Sequence, residues 1–313
     1  MNPAFSVIFL TTLAGAGQGL LLALYGAELA GGLGVIVAPA PRSFFALGSL
    51  LVVILAGLGL VASFFHLGRP ERAWRSAAMW RTSWLSREVI ALPAFMAASA
   101  LYGLAHYLDW QGTIPIGLAA VVACLALFVC TGMIYACLRF LQEWNTPLTV
   151  VNYFVLGIAS GATLAAAFSA RAAPGLTHAY AMVALVMTLV GFCTRSMSLV
   201  RNARLRPKST IQTAIGIRHP HIRQKSQGFM GGSFNTREFF HGRSRAFLRH
   251  VKWAFLAAAF VGPMVLLYVA SGNRSEAWLV SAFVIQFIGL LAERWYFLAE
   301  ANHPQNLYYQ AIS

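Results

Sequence analysis

Eight stretches of mainly apolar residues, at roughly 5–25, 43–65, 88–108, 114–138, 149–170, 178–199, 251–271 and 276–297, make up most of this chain. A helix needs about 20 such residues to cross the hydrocarbon core of a bilayer. The runs are continuous rather than alternating, which excludes a barrel. The expected fold is therefore all-α: a polytopic membrane protein with an eight-transmembrane-helix bundle, one domain over residues 1–313. Composition excludes the other classes. Charged residues are 10% of the chain, against about 25% in soluble domains, so a water-soluble enzyme is ruled out. Aromatics at 13% rule out disorder. Met1-Asn2-Pro3-Ala4 carries no basic n-region, and the first span is expected as an uncleaved helix.

With an even number of spans the two termini share a side. That side also holds the loops after spans two, four and six. Of the 23 Lys and Arg residues, 20 fall there, including Arg69, Arg72, Arg75, Arg81 and Arg87 after span two and thirteen between Arg195 and Lys252. Arg42, Arg171 and Arg274 face the other way. By the positive-inside rule both termini are expected in the cytoplasm. Residues 200–250 form a basic, Gly-containing cytoplasmic loop between the sixth and seventh spans. The plainer reading is a solvated loop that obeys the charge rule; Phe234, Arg237, Phe239 and Phe240 favour a docking surface for a soluble partner, since a merely solvated loop has little use for clustered aromatics. No fold presents this charge to nucleic acid, so no nucleic-acid partner is expected.

Ionisable groups at or inside spans are costly and often functional. The densest cluster is residues 64–88, from His66 at the end of span two to Glu88 at the start of span three. Helix ends joined by such a loop can lie side by side, placing imidazole and carboxylate in one pocket at the membrane edge. Such a pair suits a quinone, which exchanges two electrons and two protons at the interface. Histidine changes charge near neutral pH, and a desolvated glutamate titrates closer to it. The plainer alternative is a cap at His66 and a helix-dipole partner at Glu88. Trp74, Trp80 and Trp84 read as interfacial anchors. Glu293 and Arg294 are placed to pair with each other. His106 and His178 are too few for transmembrane haems. Cys124, Cys130, Cys137 and Cys193 lack CxxC spacing and read as buried packing residues. No metal site is expected. Gly15, Gly17, Gly19, Gly157 and Gly161 read as close helix packing.

Pro3-Ala4-Phe5-Ser6-Val7, the His66-Leu67-Gly68-Arg69-Pro70 turn, Ser86-Arg87-Glu88, Glu293-Arg294-Trp295 and the tail from Ala301-Asn302-His303-Pro304 to Tyr309 resemble the anchor subunit of dimethyl sulfoxide reductase, the DmsC family. The likeness spans essentially the whole chain. It implies a haem-free, quinone-reactive membrane anchor that is not itself catalytic for the substrate half-reaction. Its implied partners are a molybdopterin catalytic subunit and a four-cluster iron–sulfur subunit, with lipid around the bundle and a ubiquinone or menaquinone as redox substrate. The family's quinol-site histidine and acidic residue are matched by His66 and Glu88, and its following arginine by Arg72, with Arg69 beside it. The best-known members face the periplasm, whereas the charge count here faces the cytoplasm. That is similar to the branch anchoring a cytoplasm-facing, quinone-linked sulfite dehydrogenase (SoeC) in the bacterial inner membrane. The expectation is electron flow from sulfite oxidation into the quinone pool. The alternatives are the anchor of a reductase oxidising menaquinol and, against the rim-bound charge, a small-solute or proton transporter.

Overall fold

The computed structural model describes residues 1–35, 40–223, 241–273 and 275–308. All its regular structure is helical, and eight helices are long and apolar enough to span a membrane. The first six are α1 (Phe5–Gly32), α2 (Arg42–Phe64), α3 (Trp84–Tyr107), α4 (Thr113–Ala136), α5 (Pro147–Ala172) and α6 (Thr177–Ala203). A one-turn helix, α7 (Ile211–Ile215), follows. The seventh span joins α8 (Arg245–Leu256) to α9 (Gly262–Asn273) through a π-helical turn, Ala257–Val261, and the eighth is α10 (Glu276–Glu300). The docking residues expected at Phe234, Arg237, Phe239 and Phe240 lie outside the described residues.

α1 and α5 form the centre. Their most apolar windows are 61% and 72% buried, against 33–39% for the other six. Small residues explain why. Without a hydrophobic force between helices in lipid, association depends on close backbone approach. A Cβ on Gly19 would lie 2.1 Å from the Gly157 carbonyl oxygen, and one on Gly161 would lie 2.1 Å from the Gly19 carbonyl carbon. Around this pair, α2 packs on α1, α6 on α5, α3 on α2 and α4, and α10 on α5 and α9.

Local sequence sets the ends. Ser83 accepts a hydrogen bond from the Ser86 amide and starts α3, and Thr146 caps α5 just ahead of Pro147. Arg87 donates from Nε to the Trp80 carbonyl and from Nη2 to the Arg81 carbonyl, both at 2.8 Å, closing the C-terminal end of the 3₁₀ segment Pro70–Met79. The Met1 amino group donates to the Ala301 carbonyl at 2.8 Å, so the two ends of the chain meet on one face of the bundle.

Three expectations need correction. α1 runs seven residues past the expected end at 25, because Glu28 is held inside the helix bundle rather than ending the span. Arg195, read as the first residue of a basic loop, is 2% exposed within α6, and Arg294 is 5% exposed within α10. Only Cys124 and Cys130 are buried; Cys137 and Cys193 are exposed on the bundle's outer surface.

Candidate functional site

Glu88 sits in the second turn of α3, one turn deeper than its expected place at the helix start. Five residues on, Pro93 has no amide to give the Val89 carbonyl, which leaves the turn next to Glu88 without one helical bond. The Glu88 side chain turns inward. Thr131 of α4 donates from Oγ1 to Glu88 Oε1 at 2.5 Å. Both line an interior cavity with Thr12 and Gln18 of α1, Tyr153 and Ser160 of α5, and Arg294 of α10. The space available to a water-sized molecule is about 30 Å³. That is room for one or two waters, which need about 10–15 Å³ each by this measure, and too little for a quinone ring.

His66, Arg69 and Arg72 do not line this cavity. All three are exposed in the segment after α2. Arg72 lies 4.0 Å from Glu71 and pairs with it only loosely. What desolvation His66 has moves its imidazole below the ordinary histidine value, so it is neutral at pH 7. The expected meeting of imidazole and carboxylate in one pocket is thus replaced by two positions. Glu88 is inside the bundle, and His66 is exposed on the segment joining α2 to α3, which also carries exposed Trp74 and Trp80, each with an arginine over its ring.

Sequence reasoning paired Glu293 with Arg294 and missed what surrounds them. Arg294 Nε lies 2.7 Å from Glu293 Oε2, and Arg195 Nε lies 2.6 Å from Glu293 Oε1. A further Arg195 nitrogen is 3.8 Å from Glu300, which also accepts from Asn202 at 3.1 Å. The Arg294 guanidinium stands 4.2 Å from the centre of the Tyr153 ring. Tyr135, Trp144, Tyr153 and Phe297 pack together beside the two arginines, and the Trp144 indole donates to the Phe297 carbonyl at 3.0 Å. Charge in such a position persists only when paired, because an unpaired ion in low dielectric is expensive.

A second polar cluster lies at the opposite end. Glu28 accepts from Tyr102 at 2.7 Å and Thr113 at 2.5 Å, and His106 Nε2 is 3.3 Å away. His106 is buried and stacks on Phe45, while His178 is exposed. The two histidines therefore share no site. Among the described residues, no group of three or more His, Cys, Asp or Glu side chains is placed to hold a metal.

The whole-length pattern decides the family. The profile of the DMSO reductase anchor subunit (DmsC) family matches residues 1–299. The chain belongs to that family. It is 54% identical to the C subunit of the sulfite dehydrogenase of Allochromatium vinosum, over 100% of both proteins. It is 30% identical to the YnfH protein of Escherichia coli, an anaerobic dimethyl sulfoxide reductase component, over 45% of this protein and 51% of that one. With the C component of the anaerobic dimethyl sulfoxide reductase of Haemophilus influenzae it shares 27% identity, over 36% of this protein and 42% of the other. This anchor is thus a multi-pass membrane protein whose buried ionisable residues cluster at two ends of the bundle.

Proposed function

We propose that this chain is the membrane anchor of a sulfite-oxidising molybdenum enzyme and passes its electrons to quinone. The full-length 54% identity to the C subunit of a sulfite dehydrogenase carries the reading. The reductase components match over less than half of this chain, which makes their activity the weaker reading. As a family anchor the chain associates with the catalytic and iron–sulfur subunits of a molybdoenzyme. The excess of Lys and Arg on the face shared by the termini supports docking from the cytoplasm.

The residues divide the work by depth. The quinone head group meets the rim, where neutral His66 donates to a carbonyl oxygen and Arg69 and Arg72 stabilise developing negative charge. Glu88 supplies protons from inside, through the water-sized cavity it shares with Thr131. Position sets these roles more than basicity does. Resident haem and metal are not needed, because the iron–sulfur partner supplies electrons one at a time.

The test is the intact complex in vesicles, given sulfite and a soluble ubiquinone analogue. Sulfite-dependent quinone reduction is expected. A complex that ignores sulfite but oxidises a quinol with dimethyl sulfoxide would replace this reading with the reductase one. Solute uptake by the anchor without partners would replace both with a transporter.

A further inference from the structure

We propose that the segment joining α2 to α3 binds the headgroups of anionic phospholipids, through a row of arginines set beside a row of tryptophans. The period of the segment builds both rows. Pro70–Met79 is a 3₁₀ helix, in which residues three apart lie one above the other. Arg69, Arg72, Arg75 and Arg81 share that spacing, and Trp74 and Trp80 share it one place ahead of an arginine. The period carries on past the helix through Trp80, whose dihedrals stay helical at φ −57° and ψ −26°. All four arginines and both tryptophans are exposed. Arg75 stands 5.4 Å from the centre of the Trp74 ring, and Arg81 stands 5.3 Å from that of Trp80. Arg87 donates to the Trp80 and Arg81 carbonyls, both at 2.8 Å, and so fixes the end of the strip.

Depth decides what covers this strip. It starts where α2 ends at Phe64 and stops where α3 begins at Trp84. It therefore runs along the edge of the hydrocarbon core that those two helices cross. The faces leading into it are already apolar and exposed: Leu58, Val61 and Phe64 on α2, and Leu85 and Ile90 on α3. The same exposure continues without a break through Phe65 at 86%, Trp74 at 71%, Met79 at 62% and Trp80 at 52%. Indole rings settle at the level of the headgroups. A helical strip with cations beside aromatics lies in the plane of that interface.

Charge selects the headgroup. Between Phe65 and Ser83 there are four arginines against one glutamate. Glu71 offsets little of that charge, because it lies 4.0 Å from Arg72 and its side chain is 66% exposed. Among the described residues, no side-chain hydrogen bond or ion pair engages Arg69, Arg75 or Arg81. Guanidinium N–H groups match phosphate oxygens two at a time. A lipid phosphate therefore supplies the acceptors that the protein does not. In phosphatidylcholine the choline cation faces the same arginines with like charge, whereas phosphatidylglycerol brings no cation. This inference needs only that the chain spans a bilayer, and it stands apart from the quinone reading.

The experiment places the assembled complex in vesicles of phosphatidylcholine with a minority of phosphatidylglycerol. Either lipid carries a photoreactive group next to its headgroup, and the label is mapped by peptide after irradiation. The phosphatidylglycerol probe should label residues 65–84 of the anchor in clear excess over the phosphatidylcholine probe. That excess should fall about fivefold in Arg75→Gln and again in Arg81→Gln, the factor equivalent to about 1 kcal/mol for each basic residue near an anionic surface. It should shrink at high salt. Trp74→Ala should lower labelling by both probes alike, since the indole sets depth and carries no charge. Equal labelling of the wild-type segment by the two probes would overturn the proposal, whatever the variants do. So would competition by soluble glycerol phosphate, which would make this a site for free anions. Absence of lipid label, with cross-links from the segment to a partner subunit, would make it a protein-docking face instead.

Discussion

Replacing Gly19 with alanine tests whether the contact between α1 and α5 organises the bundle. The new Cβ would sit 2.1 Å from the Gly157 carbonyl oxygen and close to Gly161 as well. Ordinary contact begins near 3.4 Å, so the two helices must separate by about 1.3 Å. Both neighbours are backbone, so no side chain can rotate to make room. Overpacking of this kind costs about 1–3 kcal/mol, and the rigid neighbours place this site at the upper end. The matched control is Gly26→Ala on the same helix, where nothing lies within 4 Å of the new Cβ. There alanine should stabilise by about 0.5–1 kcal/mol through helix propensity. The assay is thermal denaturation of the complex in detergent. At roughly 2 °C per kcal/mol for a chain of this size, the variants should move Tm in opposite directions and differ by several degrees. Gly15, Gly157 and Ser160 line the Glu88 cavity from these same helices, so Gly19→Ala should also slow quinone reduction. Equal Tm values for the two variants would refute the packing argument.

Glu28→Gln leaves the Tyr102 and Thr113 hydroxyls and His106 facing an amide in place of a carboxylate. Breaking such a buried pair should cost about 3–5 kcal/mol, measured as Tm or yield, with turnover per assembled complex preserved because the cluster is remote from the cavity. Partial burial holds the His66 imidazole below its ordinary value of 6.5, so its neutral form is the major one at pH 7. The KM for a quinone analogue should therefore change with a midpoint below 6.5 as pH falls; a midpoint above 6.5 would rule out a neutral donor. Cys137 is exposed at the end of α4, and Cys193 lies well inside α6. A membrane-impermeant maleimide should label Cys137 in inside-out vesicles but not in intact cells, and should leave Cys193 unlabelled in both. Labelling of Cys137 in intact cells would reverse the orientation.

The spans were legible because a bilayer demands a length of apolar chain, and each run of that length became a helix. Their ends were less so. Glu28 and Arg195 look like span boundaries by charge alone, yet each has a partner on another helix, His106 or Glu293, and lies inside the bundle. Glu88 was readable as a candidate acid from its place near a rim. Its surroundings were not, because Thr131 meets it and Arg294 shares its cavity through packing of α4 and α10 that no spacing encodes. For the same reason the sequence placed His66 too close: the loop length permits the two helix ends to meet, but His66 stays on the exposed segment leading into Pro70–Met79. Glu300 was missed altogether, since a carboxylate at the end of the last apolar run resembles any solvated helix terminus.

The most direct measurement is sulfite-driven quinone reduction by the intact complex carrying Glu88→Gln, normalised to its ferricyanide rate. Loss of a positioned proton donor should lower the ratio about 100-fold, with partial recovery in Glu88→Asp. An unchanged ratio in a fully assembled Glu88→Gln complex would contradict the assignment of this cavity to quinone chemistry.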